Sequence, residues 1–234
     1  MSRETNSTPG KMIPDIKLIS VELVVVIVTF IASLITVVYF IKLVFLEKQD
    51  NFDLHVFEVL RPFTNDATTS IMQFFTFFGN QYFLLPANIL LIVYSFFIEK
   101  NKWFAIKIFS VATSSLALMF SLKYFFNRPR PLDPLLREVQ GFSFPSGHAF
   151  MSFAFFGLLI YMVHEKIKTR MVRIILTFLL VLISFFIGLS RVYLRVHYAS
   201  DVITGFAISI IWLVISLFIL NLLEKNYNRR HAAA

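Results

Sequence analysis

The chain has no cysteine among its 234 residues. That excludes disulfides, zinc–thiolate centres and thiol nucleophiles, and it leaves the redox compartment unread. Charge is scarce. Asp, Glu, Lys and Arg make up 15% of the sequence, against about 25% in an ordinary soluble domain. No Gly/Ser linker, low-complexity tract or internal repeat divides the chain. One domain over 1–231 is expected, with its polar motifs between 123 and 201; Ala232 to Ala234 are set aside as an appended tail. The segment Met1 to Lys17 is polar and mixed in charge. It lacks the short apolar core and small-residue cleavage site of a secretory signal, so the first apolar run is expected to be retained.

What is abundant is apolar sequence: 57% of the residues are hydrophobic and the mean hydropathy is +0.73. A spanning helix needs about 20 mainly apolar residues. Six runs qualify, near Leu18–Leu46, Tyr82–Ile98, Trp103–Phe126, Ala149–Val163, Ile174–Leu189 and Val202–Leu223. The fold class is therefore all-α, a polytopic membrane protein of six transmembrane helices. Between the first two runs, Asn51 to Asn80 mixes Phe57, Leu60 and Phe63 with Asp53, Glu58, Arg61 and Asp66. Helical spacing of apolar residues beside a polar face predicts an interfacial amphipathic segment, with a further helix at about Ala67–Phe78. The alternative is a spanning segment broken at Gly79. Pro86 is read near the start of the second span, where it costs least.

A net charge of +8 could suggest nucleic acid, but there is no basic face on a soluble fold to receive it. Membrane topology and anionic headgroups explain the excess better. Lys and Arg cluster in the N-terminal segment, after the second and fourth runs, and in the C-terminal tail. With six spans those segments share one side, which predicts cytoplasmic termini in a cell-membrane protein. The remaining connections then face the extracytoplasmic side.

Those connections carry three polar islands: Lys123 to Pro131, Pro145 to His148, and Ser190 to Asp201. Ionisable groups at the ends of spanning helices are costly and mark functional sites. His197 and Asp201 are four apart, a spacing that on a helix places both on one face. A carboxylate bonded to one ring nitrogen fixes the tautomer and directs the other as a nucleophile or base; taken alone, the pair equally suits a helix cap or an ion pair. Pro145, Ser146 and Gly147 suit the start of a helix, whose free N–H groups form an anion site. His148 stands next in line to donate a proton to a leaving group. An ordinary N-cap with an incidental histidine would read the same. Lys123, Arg130 and Arg191 suit a dianionic phosphate passing through in-line displacement. Arg128, Arg137 and Arg195 read instead as interfacial side chains reaching lipid headgroups, and His55, His164 and His231 carry no assignment. A metal triad of two histidines and Asp201 would sit against three cations, so no metal and no cofactor is expected.

In order, the pattern K-x6-RP, PSGH and SR-x5-H-x3-D resembles the type 2 phosphatidic acid phosphatase superfamily. It matches at Lys123, Arg130, Pro131, Pro145, Ser146, Gly147, His148, Ser190, Arg191, His197 and Asp201. The apolar character resembles the bacterial membrane branch, which includes phosphatidylglycerophosphatase B and undecaprenyl-diphosphate phosphatases, rather than the soluble vanadium haloperoxidases. The resemblance implies that His197 attacks phosphorus to form a phosphohistidine and that Asp201 orients it. It implies that His148 protonates the leaving oxygen and then activates water. Lys123, Arg130, Arg191, Ser146 and the Gly147 N–H would hold the phosphate. The implied substrates are undecaprenyl diphosphate, phosphatidylglycerophosphate or phosphatidic acid, drawn from the bilayer. The loop Leu132 to Phe144 and the stretch Asn51 to Asn80 are candidate gates for lipid entry. A phospholipid or anion transporter and a catalytically inactive relative are the competing readings. Oligomeric state is not legible.

Overall fold

In the computed structural model, residues 21–136 and 140–232 are described. They form eight α-helices, with no strand among the described residues. The helices are α1 (Val21–Ile41), α2 (Asn51–Leu60), α3 (Asp66–Phe78), α4 (Gln81–Val93), α5 (Lys102–Phe126), α6 (Gly147–Lys166), α7 (Arg170–Tyr193) and α8 (Ala199–Ala232). A π-helical turn extends α1 over Lys42–Leu46 and another extends α4 over Tyr94–Ile98. Six stretches are long and apolar enough to cross a membrane: Leu23–Leu46, Asp66–Ile98, Lys102–Phe126, Gly147–Lys166, Arg170–Tyr193 and Ala199–Ala232.

The predicted six spans stand, with one boundary moved. By length and hydropathy the second stretch extends from Asp66 to Ile98 and takes in α3, with a break at Gly79. Local chemistry explains the break. The chain leaves α3 at Gly79, and the Asn80 side chain accepts the Tyr82 N–H to start α4. Pro86 consequently lies inside α4, well away from the start of the span. The amphipathic segment that remains outside the spans is α2 with the 3₁₀ turn Arg61–Phe63.

A lipid solvent reverses the usual burial logic, because the outside of the bundle can be as apolar as the inside. On α1, Val28, Ile35 and Val38 are exposed. The interior, by contrast, carries Ser95, Ser115, Ser152, Ser184 and Ser209 beside Phe104, Ile108, Phe150 and Leu158. α6 is the central helix, packed against α5, α7 and α8. α1 covers α8, and α3 covers α7. At one end of this bundle, α2 packs Val56, Phe57 and Leu60 against Val192, Ala199 and Val202 of the α7–α8 corner. All three polar islands meet at that end.

Candidate active site

His197 and Asp201 do not share a helix as the spacing predicted. α7 stops at Tyr193 and α8 begins at Ala199, so His197 sits in the connecting turn and Asp201 in the first turn of α8. Asp201 Oδ2 accepts the Tyr198 N–H at 2.9 Å, a side chain in the first turn reaching back to the cap residue. His197 is 2% exposed and Asp201 fully buried. Their closest approach, Nδ1 to Oδ2, is 3.6 Å, too long for a hydrogen bond. Ser143 closes the gap. Its hydroxyl donates to Asp201 Oδ2, and its oxygen lies 3.3 Å from His197 Nδ1.

The direction of each proton follows from this chain. An ionised carboxylate only accepts, so the Ser143 proton points at Asp201. The Ser143 oxygen is then free only to accept, which puts the ring proton on Nδ1. That leaves Nε2 with a lone pair, and Arg130 Nη1 stands 3.3 Å from it. Burial, reinforced by Arg130, Lys123 and Arg191, holds the His197 pKa well below the usual imidazole range. The ring is therefore neutral at physiological pH, with its lone pair aimed at a cluster of cations.

Each cation is fixed mainly by groups that leave the cluster's charge intact. Lys123, in the last turn of α5, donates from Nζ to the Phe142 carbonyl at 2.7 Å. Arg130 donates to the Val196 carbonyl at 2.7 Å and to the Gly141 carbonyl at 2.9 Å. Arg191, on α7, donates to Thr76 Oγ1 of α3 at 2.6 Å; its Nε is buried with no hydrogen-bond partner among the described residues. Backbone carbonyls and a hydroxyl orient these side chains without neutralising them.

Ser146 precedes α6 as its cap residue, yet its side chain makes no capping bond. Its hydroxyl is buried and has no hydrogen-bond partner among the described residues. The Ser146 N–H instead donates to the Asp201 carbonyl at 3.0 Å, which ties α8 to the start of α6. Gly205 permits that approach, since a Cβ there would lie 3.0 Å from the Ser146 carbonyl oxygen. Gly147 opens α6, and a Cβ on it would lie 3.6 Å from Lys123 Cε. His148 follows and lies within electrostatic range of Arg191, His197, Arg130 and Lys123. It packs against the break in the second span: a Cβ on Gly79 would lie 3.0 Å from His148 Cδ2. Lys123, Arg130, Ser146, Gly147, His148, Arg191, His197 and Asp201 thus converge at one end of the bundle. Ser190 donates to the Ile187 carbonyl within α7.

Arg128 corrects the sequence reading. It is 6% exposed and does not reach for the bilayer surface. Its Nη1 donates to Asp201 Oδ1 at 2.7 Å and to Ser200 Oγ at 2.8 Å. Its Nη2 donates to Asp53 Oδ2 at 2.9 Å and to Asp50 Oδ1 at 3.2 Å. Asp53, on α2, accepts the Ser200 N–H at 2.8 Å and the Ser200 hydroxyl at 2.6 Å. Asp53, Ser143 and Ser200 carry no site assignment from the sequence, although a signal for Asp53 existed. It is a carboxylate at i relative to Val56, Phe57 and Leu60 at i+3, i+4 and i+7, on the apolar face of an amphipathic helix. Arg195 is half-buried, its guanidinium 6.0 Å from the Phe57 ring. Arg137 lies outside the described residues. His55, His164 and His231 are exposed.

A buried neutral histidine facing cations able to hold a phosphate, inside a six-span bundle, defines a membrane-embedded phosphohydrolase. Residues 104–224 match the model of the PAP2 superfamily, and the chain belongs to that superfamily as a membrane lipid phosphatase. It is 31% identical over 159 residues to phosphatidylglycerophosphatase B of Bacillus subtilis (strain 168), covering 65% of this chain and 73% of that protein. Its fold is similar to the crystal structure of a transmembrane PAP2-type phosphatidylglycerolphosphate phosphatase from Bacillus subtilis. The TM-score there is 0.72 at 22% identity, over 86% of this chain and 96% of that one. The crystal structure of Aquifex aeolicus LpxE is also similar, with a TM-score of 0.55 at 30% identity, over 70% of this chain and 93% of that one.

Proposed function

We propose that the protein removes a terminal phosphate from a membrane lipid, as a phosphomonoester or a diphosphate, through a phosphohistidine at His197. The observation that carries this reading is the Ser143-bridged His197, whose Nε2 lone pair faces Arg130. In the first step Nε2 attacks phosphorus, an N–P bond forms and the bond to the lipid oxygen breaks. His148 gives that oxygen its proton. In the second step His148 takes a proton from water, the water oxygen attacks phosphorus and the N–P bond breaks. Lys123, Arg130 and Arg191 stabilise the charge that spreads over the equatorial oxygens. Ser146 Oγ and the Gly147 N–H at the start of α6 add uncharged donors. Asp201 holds the ring through Ser143 and supports the positive charge that develops on it. The cations supply the charge stabilisation that a divalent ion would supply elsewhere.

The candidate substrates are phosphatidylglycerophosphate, undecaprenyl diphosphate and phosphatidic acid. The distribution of Lys and Arg supports an extracytoplasmic site with both termini cytoplasmic. The test is brief incubation with a lipid labelled in its terminal phosphate, followed by denaturation. An acid-labile, base-stable phosphoryl adduct is expected on wild type and absent from His197→Ala. Turnover by His197→Ala at the wild-type rate would refute the nucleophile assignment. Comparing kcat/KM across the three lipids then ranks the substrates.

A further inference from the structure

A cavity of about 500 Å³ opens beside the phosphate cluster, lined by Glu58, Arg61, Pro131, Leu132, Arg195 and Tyr198 together with Leu54 and Phe57. Its walls are covalent neighbours of the site. Tyr198 follows His197 and Pro131 follows Arg130, and consecutive Cα atoms are about 3.8 Å apart. The Tyr198 ring is backed by the Arg128 guanidinium at 3.9 Å, so this wall is fixed to the Asp201 network. The opposite wall comes from α2 and the turn after it.

Two guanidiniums enter this cavity with no hydrogen bond or ion pair to any described residue: Arg61, which is exposed, and Arg195, which is half-buried. The Arg195 guanidinium lies over the Phe57 ring, 6.0 Å from its centre. The contrast with the site next door is sharp, since Arg128, Arg130 and Arg191 all donate hydrogen bonds. Arg195 is also held at φ +53°, a left-handed conformation uncommon for any residue but glycine. With Glu58, the cavity carries a net charge of +1. A planar guanidinium matches the fork of a phosphate, and one net positive charge matches one monoanionic phosphate. Glu58 can accept a hydroxyl from the same headgroup.

We propose that this cavity is a second-phosphate subsite, in which Arg61 and Arg195 hold the inner phosphate of a lipid whose outer phosphate is cleaved at His197. The proposal rests on the phosphatase reading above and sharpens it. It selects lipids with two phosphate groups in series, linked by glycerol or directly as a diphosphate. Phosphatidic acid has no group to place there.

The test uses the full-length purified protein in mixed micelles, with phosphatidylglycerophosphate, undecaprenyl diphosphate and phosphatidic acid as substrates. The readout is the ratio of kcat/KM on each two-phosphate lipid to that on phosphatidic acid. Wild type is expected to favour at least one two-phosphate lipid. In Arg61→Gln/Arg195→Gln the ratio should fall about ten- to a hundred-fold, the range set by losing hydrogen bonds to a charged group, mainly through KM. Arg195→Lys, which keeps charge but loses the fork, should fall between. Thermal unfolding in detergent is measured on each variant, and the ratio is read on variants that unfold as wild type does, so it isolates the subsite from damage to the fold. A ratio preserved in the double variant, or no preference in wild type, overturns the proposal; the first result would mean that both arginines serve only the bilayer surface. If wild type hydrolyses none of the three lipids, the phosphatase reading itself fails.

Discussion

Replacing Arg128 with Gln removes the one cation that faces three carboxylates. Two of them, Asp53 and Asp201, are 1% and 0% exposed. Breaking a buried ion pair by deleting one partner costs about 3–5 kcal/mol, because the remaining charge has no counter-ion. Other contacts soften the loss here. Asp53 keeps the Ser200 N–H and hydroxyl, and Asp201 keeps Ser143 and the Tyr198 N–H. The expected loss is therefore toward the lower bound, about 3 kcal/mol. For a domain of this size that is a fall in Tm of roughly 6–12 °C. Activity should fall as well, since Arg128 positions Asp201, which holds His197 through Ser143. A second substitution separates this account from simple damage. The trio Asp53, Arg128 and Asp201 carries a net charge of −1, which becomes −2 in Arg128→Gln. Adding Asp53→Asn restores −1 and keeps an acceptor for Ser200. The double variant should be more stable than Arg128→Gln alone. Thermal unfolding in detergent and kcat on a lipid phosphate measure both effects. An Arg128→Gln protein within 2 °C of wild-type Tm, or strictly additive losses in the double variant, would refute the reasoning.

Two further outcomes are expected. Burial and the neighbouring cations lower the His197 pKa well below 6.5, and the proposed mechanism requires a neutral ring for attack. The acid limb of kcat/KM should therefore lie below pH 6.5, and stability should decline as pH drops through that range, because the unfolded chain binds the proton more readily. A pH–rate profile with its acid midpoint at 6.5 or above contradicts this. In Gly205→Ala the new Cβ would sit 3.0 Å from the Ser146 carbonyl oxygen and 3.3 Å from Ala149 Cβ. Backbone cannot rotate away as a side chain can, so a cost of about 1–3 kcal/mol and a drop in kcat are expected; unchanged kcat would show that the α6–α8 contact does not set the site.

How much of this was legible depends on contrast with the background. Lys123, His148, Arg191 and Asp201 stand out because each interrupts or borders an apolar run. The six spans were legible for the same reason, since length and hydropathy suffice to find them. The start of the second span is hard to read because α3 mixes Asp66, Thr68, Thr69, Ser70 and Gln73 with aromatic residues. Thr69 meets the Tyr193 hydroxyl of α7 while Asp66, Ser70 and Gln73 stay exposed, so the helix looks interfacial when read alone. Thr76 of this helix turns out to hold Arg191. Arg128 and Arg130 are two residues apart in one short loop, and nothing local distinguishes them. Their roles diverge through distant carboxylates, Asp50 and Asp53 at the start of α2 and Asp201 on α8, which together claim Arg128. Arg130 is left to the carbonyls of Val196 and Gly141, with its charge available.

That division has a physical cause. Between spans in lipid there is no hydrophobic driving force to choose one arrangement, so packing and polar contacts must choose it. At the site end the contacts that do so are the ones around Asp201. Its backbone carbonyl accepts from Ser146 and ties α8 to α6. Its carboxylate receives Arg128 from the loop after α5, Ser143 from the loop before α6, and the Tyr198 N–H that caps α8. Asp53 brings α2 to the same arginine. A carboxylate buried this completely is tolerated only with such partners, and the partners come from each segment that must be placed for His197 to face the cations. The carboxylate that meets His197 through Ser143 therefore also fixes the local fold. Substitutions around Asp201 should lower stability and turnover together, whereas Lys123 and Arg191, bonded to single acceptors, should affect turnover far more than folding.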